Sequence, residues 1–205
     1  SIVIDSLDVR QALRLVDSDR PALAEYLLAS LRRLGAAGSD FAVMTANTPH
    51  IVFDELAARS PIPLVSIVEV CAEEAQRQGL QRTALLGTRF TMEAPFYPDV
   101  FSRLGMEVVI PSEADRAWVH KRYIGELLRG EFREDTRDRF LSLVSHLHEA
   151  RQIDGVILGG TELPLLLSTP TIAGLPVLDT TALHVAAIVK RLRQPDPVPS
   201  TTRAG

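Results

Sequence analysis

The chain reads as an α/β protein of two pseudo-symmetric lobes, with mostly parallel sheets flanked by helices and a site in the cleft between the lobes. Three observations predict this. Short, nearly continuous apolar runs of strand length recur along the chain, as expected of parallel strands buried on both faces. Longer stretches between them carry apolar residues three or four apart, which makes them helical crossovers. One stretch is also echoed 113 residues further on.

In chain order, Ile2-Val3-Ile4 is the first strand candidate. A helical stretch from Arg20 to Leu34 follows and stops at Gly35 and Gly38, residues suited to helix ends. Phe41-Ala42-Val43-Met44 and Pro63-Leu64-Val65-Ser66-Ile67 are the next strands, and the helix from Ile67 to Gln78 stops at Gly79. Thr83 to Leu86 is a strand, Phe96 to Leu104 a helix closed by Gly105, and Glu107 to Ile110 a strand. Two helical stretches, Arg116 to Leu128 and Asp135 to Arg151, precede the strand Gly155 to Leu158. Pro176-Val177-Leu178 is the last strand and Thr181 to Leu192 the last helix. The tail after it carries three prolines in five residues and is expected to be disordered. The expected organisation is therefore part of a first lobe at 1–82, a second lobe at 83–175, a strand and helix completing the pseudo-symmetric pair at 176–193, and the tail at 194–205.

Composition limits the function. With 205 residues the chain buries a sizeable core. A formal net charge of -4 argues against a general phosphate-backbone binder, so no nucleic-acid partner is expected. No run approaches the roughly 18 apolar residues of a membrane span, and no stretch reads as a secretory signal. The single cysteine, Cys71, rules out an intrachain disulfide and a Cys-rich zinc site. A soluble, cytoplasmic protein is the expectation.

The echo points to the site. Thr48 ends one buried strand and is followed 15 residues later by Pro63-Leu64-Val65-Ser66 and an apolar helix. Thr161 ends another and is followed 15 residues later by Pro176-Val177-Leu178-Asp179 and an apolar helix. Two related strand ends facing one another across a cleft form the usual ligand position in such sheets. Ala46-Asn47-Thr48-Pro49-His50 brings an amide, a hydroxyl and an imidazole to the first end, while Gly159-Gly160-Thr161-Glu162 brings two glycines, a hydroxyl and a carboxylate to the second. A third strand ends in Gly87-Thr88-Arg89-Phe90-Thr91. Hydroxyls and backbone N–H groups at strand ends and helix starts suit a carboxylate. Asn47 and Thr48 equally suit a helix cap and Thr88 a turn, but three such ends together favour a small-acid site.

Ala-Asn-Thr-Pro-His-Ile-Val-Phe-Asp-Glu, Leu-Leu-Gly-Thr-Arg-Phe-Thr-Met-Glu, Val-Ile-Leu-Gly-Gly-Thr-Glu-Leu and Asp-Thr-Thr-Ala-Leu-His resemble, in order and spacing, the cofactor-independent aspartate/glutamate racemases. The resemblance runs from Ile2 to about Leu192. It implies two pseudo-symmetric lobes, no cofactor, no metal, a homodimer, and a small carboxylate or amino-acid ligand. The family begins with a further strand, a Gly-rich turn and a helix, so the resemblance implies that some substrate-binding groups lie outside this sequence. It also implies that a thiol at each strand end takes or returns the α-proton, with donors around the carboxylate steadying enolate-like charge. Here the sequence departs from the pattern, because the two family cysteine positions hold Ala46 and Gly160. Their missing side chains are expected to face each other across the ligand and to leave open space.

Glu162, His50 and His184 are then the remaining acid/base candidates, each with a structural alternative: a carboxylate at a helix start, or imidazoles bonding helix ends. Asn47, Thr48, Thr88, Thr91 and Thr161 are the expected substrate-binding donors. Cys71 is read as core packing. His146 and His148 are two apart on a helix and point to different faces, so they are poor partners for one metal. His120, Lys121 and Arg122 read as a solvated helix face. The expected function is that of an isomerase acting beside a carboxylate; the alternative is a non-racemising relative, either a lyase with other acid/base groups or a small-acid-binding protein.

Overall fold

Two sheets organise the chain in a computed structural model that describes residues 1–193; the expected disordered tail lies outside the described residues. Helix α1 (Val9–Ser18) starts where the Asp8 carboxylate accepts the N–H groups of Arg10 and Gln11 at 2.8 and 3.2 Å. Asp19 caps α2 (Arg20–Ala36) in the same way through Ala22. Strand β1 (Ala42–Val43), a 3-10 turn at Thr48–Val52, α3 (Phe53–Arg59), and β2 (Leu64–Val65) follow. Ser66 caps α4 (Ile67–Arg77). Next come β3 (Arg82–Gly87), α5 (Arg89–Glu93), α6 (Phe96–Arg103), β4 (Glu107–Val109), and α7 (Glu113–Gly125), capped by Ser112. After a 3-10 turn at Leu127–Arg129 the chain runs through α8 (Glu134–Arg151), β5 (Gly155–Gly159), α9 (Leu163–Leu166), β6 (Thr171–Ile172), β7 (Leu175–Asp179) and α10 (Thr180–Arg193).

The larger sheet has the order β4-β3-β5-β7-β6, parallel throughout except for the β6–β7 hairpin. Central β5 is buried along its whole length, which is why Gly155 to Leu158 reads as an unbroken apolar run. Strands β1 and β2 form a second, two-stranded parallel sheet. Two hydrophobic cores match this division. A smaller one gathers Leu23, Leu28, Ala42 and Leu56; a larger one gathers Ile67, Cys71, Leu85, Phe101, Phe140 and Ile157. The helices that follow β2 and β7, α4 and α10, pack against one another, so the two halves of the echo meet back to back.

One expected strand is absent. Ile2, Val3 and Ile4 are 81%, 48% and 82% exposed and form no ladder. A strand needs a neighbour to take its N–H and C=O groups, and among the described residues β1 pairs only with β2. The seventh helix also begins earlier than its apolar spacing predicts, at Glu113, because the Ser112 hydroxyl receives the Asp115 N–H. Among the described residues, no helix is long and apolar enough to cross a membrane.

Candidate active site

The ends of β1, β3 and β5 converge. Thr48 starts the 3-10 turn after β1, and Thr88 and Thr91 open α5 after β3. Their hydroxyls form a closed triangle: Thr48 to Thr88 is 3.1 Å, Thr48 to Thr91 3.2 Å, and Thr88 to Thr91 3.2 Å. Thr88 is also the cap of α5, its Oγ1 accepting the Thr91 N–H at 3.2 Å. Thr88 thus joins the triangle and caps the helix with one oxygen. Glycine permits it. Gly87 and Gly159 are register partners, and a Cβ on Gly87 would stand 2.7 Å from the Gly159 carbonyl and 3.1 Å from the Thr91 Cβ.

Asn47 is buried and engaged through both halves of its amide. Its Nδ2 donates to Thr180 Oγ1 at 3.2 Å, and its Oδ1 accepts the Tyr97 hydroxyl at 2.6 Å. Thr180 in turn donates to the Leu158 carbonyl at 2.8 Å. This chain of bonds ties the end of β1 to the ends of β5 and β7. Burial pushes the Tyr97 phenol well up, which keeps it a donor.

The two histidines serve the backbone. His50 Nε2 accepts the Ile67 N–H at 3.3 Å, so the ring proton sits on Nδ1, which donates to the Ala46 carbonyl at 3.0 Å. Burial, with His184 adding to it, pushes the His50 pKa down to about 3. His184 Nε2 donates to the Val65 carbonyl at 3.0 Å, linking α10 to β2, and burial lowers its pKa too. Cys71 is fully buried in α4, and burial pushes its thiol up, away from the reactive thiolate.

The surroundings of Ala46 and Gly160 differ sharply. Ala46 is exposed. Gly160 is buried, and the space expected beside it is filled: a Cβ built there would lie 2.6 and 2.8 Å from the Cε2 and Cζ atoms of Tyr123. Tyr123, on α7, donates its phenolic proton to Glu162 Oε2, which also accepts from Thr161 Oγ1 at 2.9 Å. Burial and the adjacent Glu162 charge push the Tyr123 phenol up. The expectation of open space at this position is therefore corrected, because a side chain from a different helix occupies it.

Sequence reasoning missed Tyr123 and Tyr97. The available signal for Tyr123 was its spacing of four from Val119, both inward-facing on α7. Its neighbours carry separate tasks: His120 accepts the Arg89 N–H at 3.2 Å, and Arg122 pairs with Glu126. His148 bonds the Ile153 carbonyl at 2.8 Å. Among the described residues, no cluster of three or more His, Cys, Asp or Glu side chains is placed to hold a metal ion. A broad cleft of about 660 Å³ opens beside the threonine triangle's helix, between Asp17, Asp19, Arg20, Phe90 and Glu93, and Arg89 reaches Asp17 at 3.4 Å there.

Residues 1–188 match the Asp/Glu/Hydantoin racemase family. A Yersinia pestis protein assigned to the Asp/Glu racemases superposes with a TM-score of 0.84 at 34% identity, over 94% of this chain and 84% of that one. An aspartate racemase homologue from Pyrococcus horikoshii gives 0.81 at 28% identity, over 94% and 83%. The broad specificity amino-acid racemase of Bacillus subtilis is 25% identical over 91 residues, 44% of this chain and only 40% of that protein.

Proposed function

The chain belongs to the Asp/Glu/Hydantoin racemase family, and from that premise we propose that it is an isomerase exchanging the hydrogen on the carbon next to the carboxylate of a small amino acid or dicarboxylate. The observation that carries this reading is the triangle of Thr48, Thr88 and Thr91, which gathers three hydroxyls from two lobes at the strand ends. Removing an α-proton leaves charge on the substrate carboxylate, and fixed donors around those oxygens lower the barrier. Asn47 holds the strand ends in register, Thr161 and Glu162 border the second end, and Ala46 leaves the first end open to solvent. The broad specificity named for the Bacillus subtilis relative favours testing several amino acids. On this reading the protein works without cofactor or metal, as a cytoplasmic homodimer.

Incubation with L-aspartate, L-glutamate and L-alanine in deuterated water tests the proposal. Solvent deuterium should replace the α-hydrogen of at least one of them, read by proton NMR. Persistence of every α-proton signal at high protein concentration, with binding shown by calorimetry, would refute it. That result fits the second reading, a small-acid-binding protein, which the inert side chains at Ala46 and Gly160 favour.

A further inference from the structure

We infer that Tyr123 and Glu162 form the acid/base relay of the second strand end, with the Tyr123 phenol standing where the side chain of residue 160 would otherwise project. The inference rests on the isomerase reading above. Residue 160 directly follows β5, and a Cβ on this glycine would stand inside the volume taken by the Tyr123 ring. The geometry is specific: the ring fills the Cβ position, its hydroxyl points to Glu162, and Thr161 holds the same carboxylate oxygen.

The other candidates lack this freedom. His50 has both ring nitrogens bound to backbone, His184 spends Nε2 on Val65, and the Cys71 thiol is sealed in the core. Among the acid/base candidates at the strand ends, Tyr123 and Glu162 are the two whose side chains bond each other.

The transfer balances within the pair. The α-proton passes to the Tyr123 oxygen as the phenolic proton passes to Glu162 Oε2. The electron pair of the broken C–H bond moves into the substrate carboxylate as an enediolate. Glu162 is half-buried, so its proton exchanges with solvent, and reversal through Tyr123 then places a solvent hydrogen on the carbon. Because a buried phenolate is disfavoured, the two transfers must be coupled, and a carboxylate already accepting the phenolic hydrogen bond allows that coupling.

The test compares the full chain with Tyr123→Phe, Glu162→Gln and Glu162→Asp, measuring deuterium exchange and calorimetric affinity for the same amino acid. A positioned acid/base group contributes about 10²–10⁴-fold. Tyr123→Phe and Glu162→Gln should each lose exchange on that scale in kcat, with KM and affinity nearly unchanged, and Glu162→Asp should recover part of the loss. Exchange within about threefold of the unaltered chain in either of the first two variants, with the fold intact by circular dichroism, would overturn the relay while leaving the isomerase reading standing. Loss of affinity and exchange together, unrescued by Glu162→Asp, marks a structural pair and also overturns it. Absence of exchange in the unaltered chain overturns the isomerase reading and the relay together.

Discussion

His50 Nε2 accepts the amide proton of Ile67 while its Nδ1 donates to the carbonyl of Ala46, so one neutral imidazole fastens the strand-end turn to the start of α4. Protonating the ring would leave two N–H donors where one acceptor is required.

The first prediction is an acid limb in stability. The folded His50 pKa is lowered to about 3 from 6.5, so the unfolded chain binds the extra proton between those values. Stability from this group is full above about pH 6.5 and is lost progressively toward pH 3, by up to about 1.4 kcal/mol per pH unit. His184, also lowered, acts in the same direction. Melting temperature followed from pH 7.5 to 4 should fall, and the His50→Gln variant should show a shallower fall. Equal slopes would contradict the assignment.

Asn47 and Tyr97 should prove coupled. Asn47→Ala strands a buried phenol, and Tyr97→Phe strands the Asn47 carbonyl oxygen; an unmet buried partner costs about 1–3 kcal/mol. In urea unfolding the double variant should lose clearly less than the two single losses combined. Simple additivity would mean that the 2.6 Å contact contributes little.

Binding of an acidic ligand should depend on the threonine triangle. Thr48→Val is the cleanest probe, because Thr48 caps no helix through its side chain, whereas Thr88→Val also removes the α5 cap, worth about 1 kcal/mol. Hydrogen bonds to charged groups are worth about 1.5–3 kcal/mol, so Thr48→Val should weaken aspartate or succinate binding on that scale in calorimetry. Undiminished affinity would remove Thr48 from the site.

Placing a cysteine at position 160 should be destabilising. Its Cβ would enter the Tyr123 ring, and overpacking of this kind costs about 1–3 kcal/mol. Gly160→Cys should therefore lower the melting temperature, and a second change, Tyr123→Ala, should relieve part of that loss. Ala46→Cys, at an exposed position, should be tolerated. A fully stable Gly160→Cys chain would show that Tyr123 leaves the site readily.

The fold was largely legible because its central strands are buried on both faces and its long helices are amphipathic, patterns that survive without knowledge of neighbours. Gly155 to Leu158 and Arg20 to Leu34 needed only local periodicity. Ile2-Val3-Ile4 failed for the converse reason: its residues suit a strand, but strand formation is decided by a partner elsewhere. Helix α1 was passed over although Val9, Ala12, Leu13 and Val16 recur at helical spacing behind the Asp8 cap; among them only Val16 is fully buried. At the site, the threonines were readable from strand-end motifs. Tyr123 was not, because the volume beside Gly160 is filled by a residue 37 positions earlier on another helix, and no local pattern encodes that meeting.

The threonine triangle has a consequence for what it will accept. Three hydroxyls have three protons, and three mutual contacts consume all of them, in either of two circulations of the ring. A visitor that only accepts hydrogen bonds must therefore open the ring before it can be held. A neutral amide or alcohol offers a bond no stronger than the one surrendered. A carboxylate offers charge-assisted bonds roughly twice as strong, so for an anion alone the exchange is favourable. On the proposed reading, the closed ring sorts by charge before it sorts by shape, staying shut to neutral molecules and turning its protons outward only when a negative charge arrives.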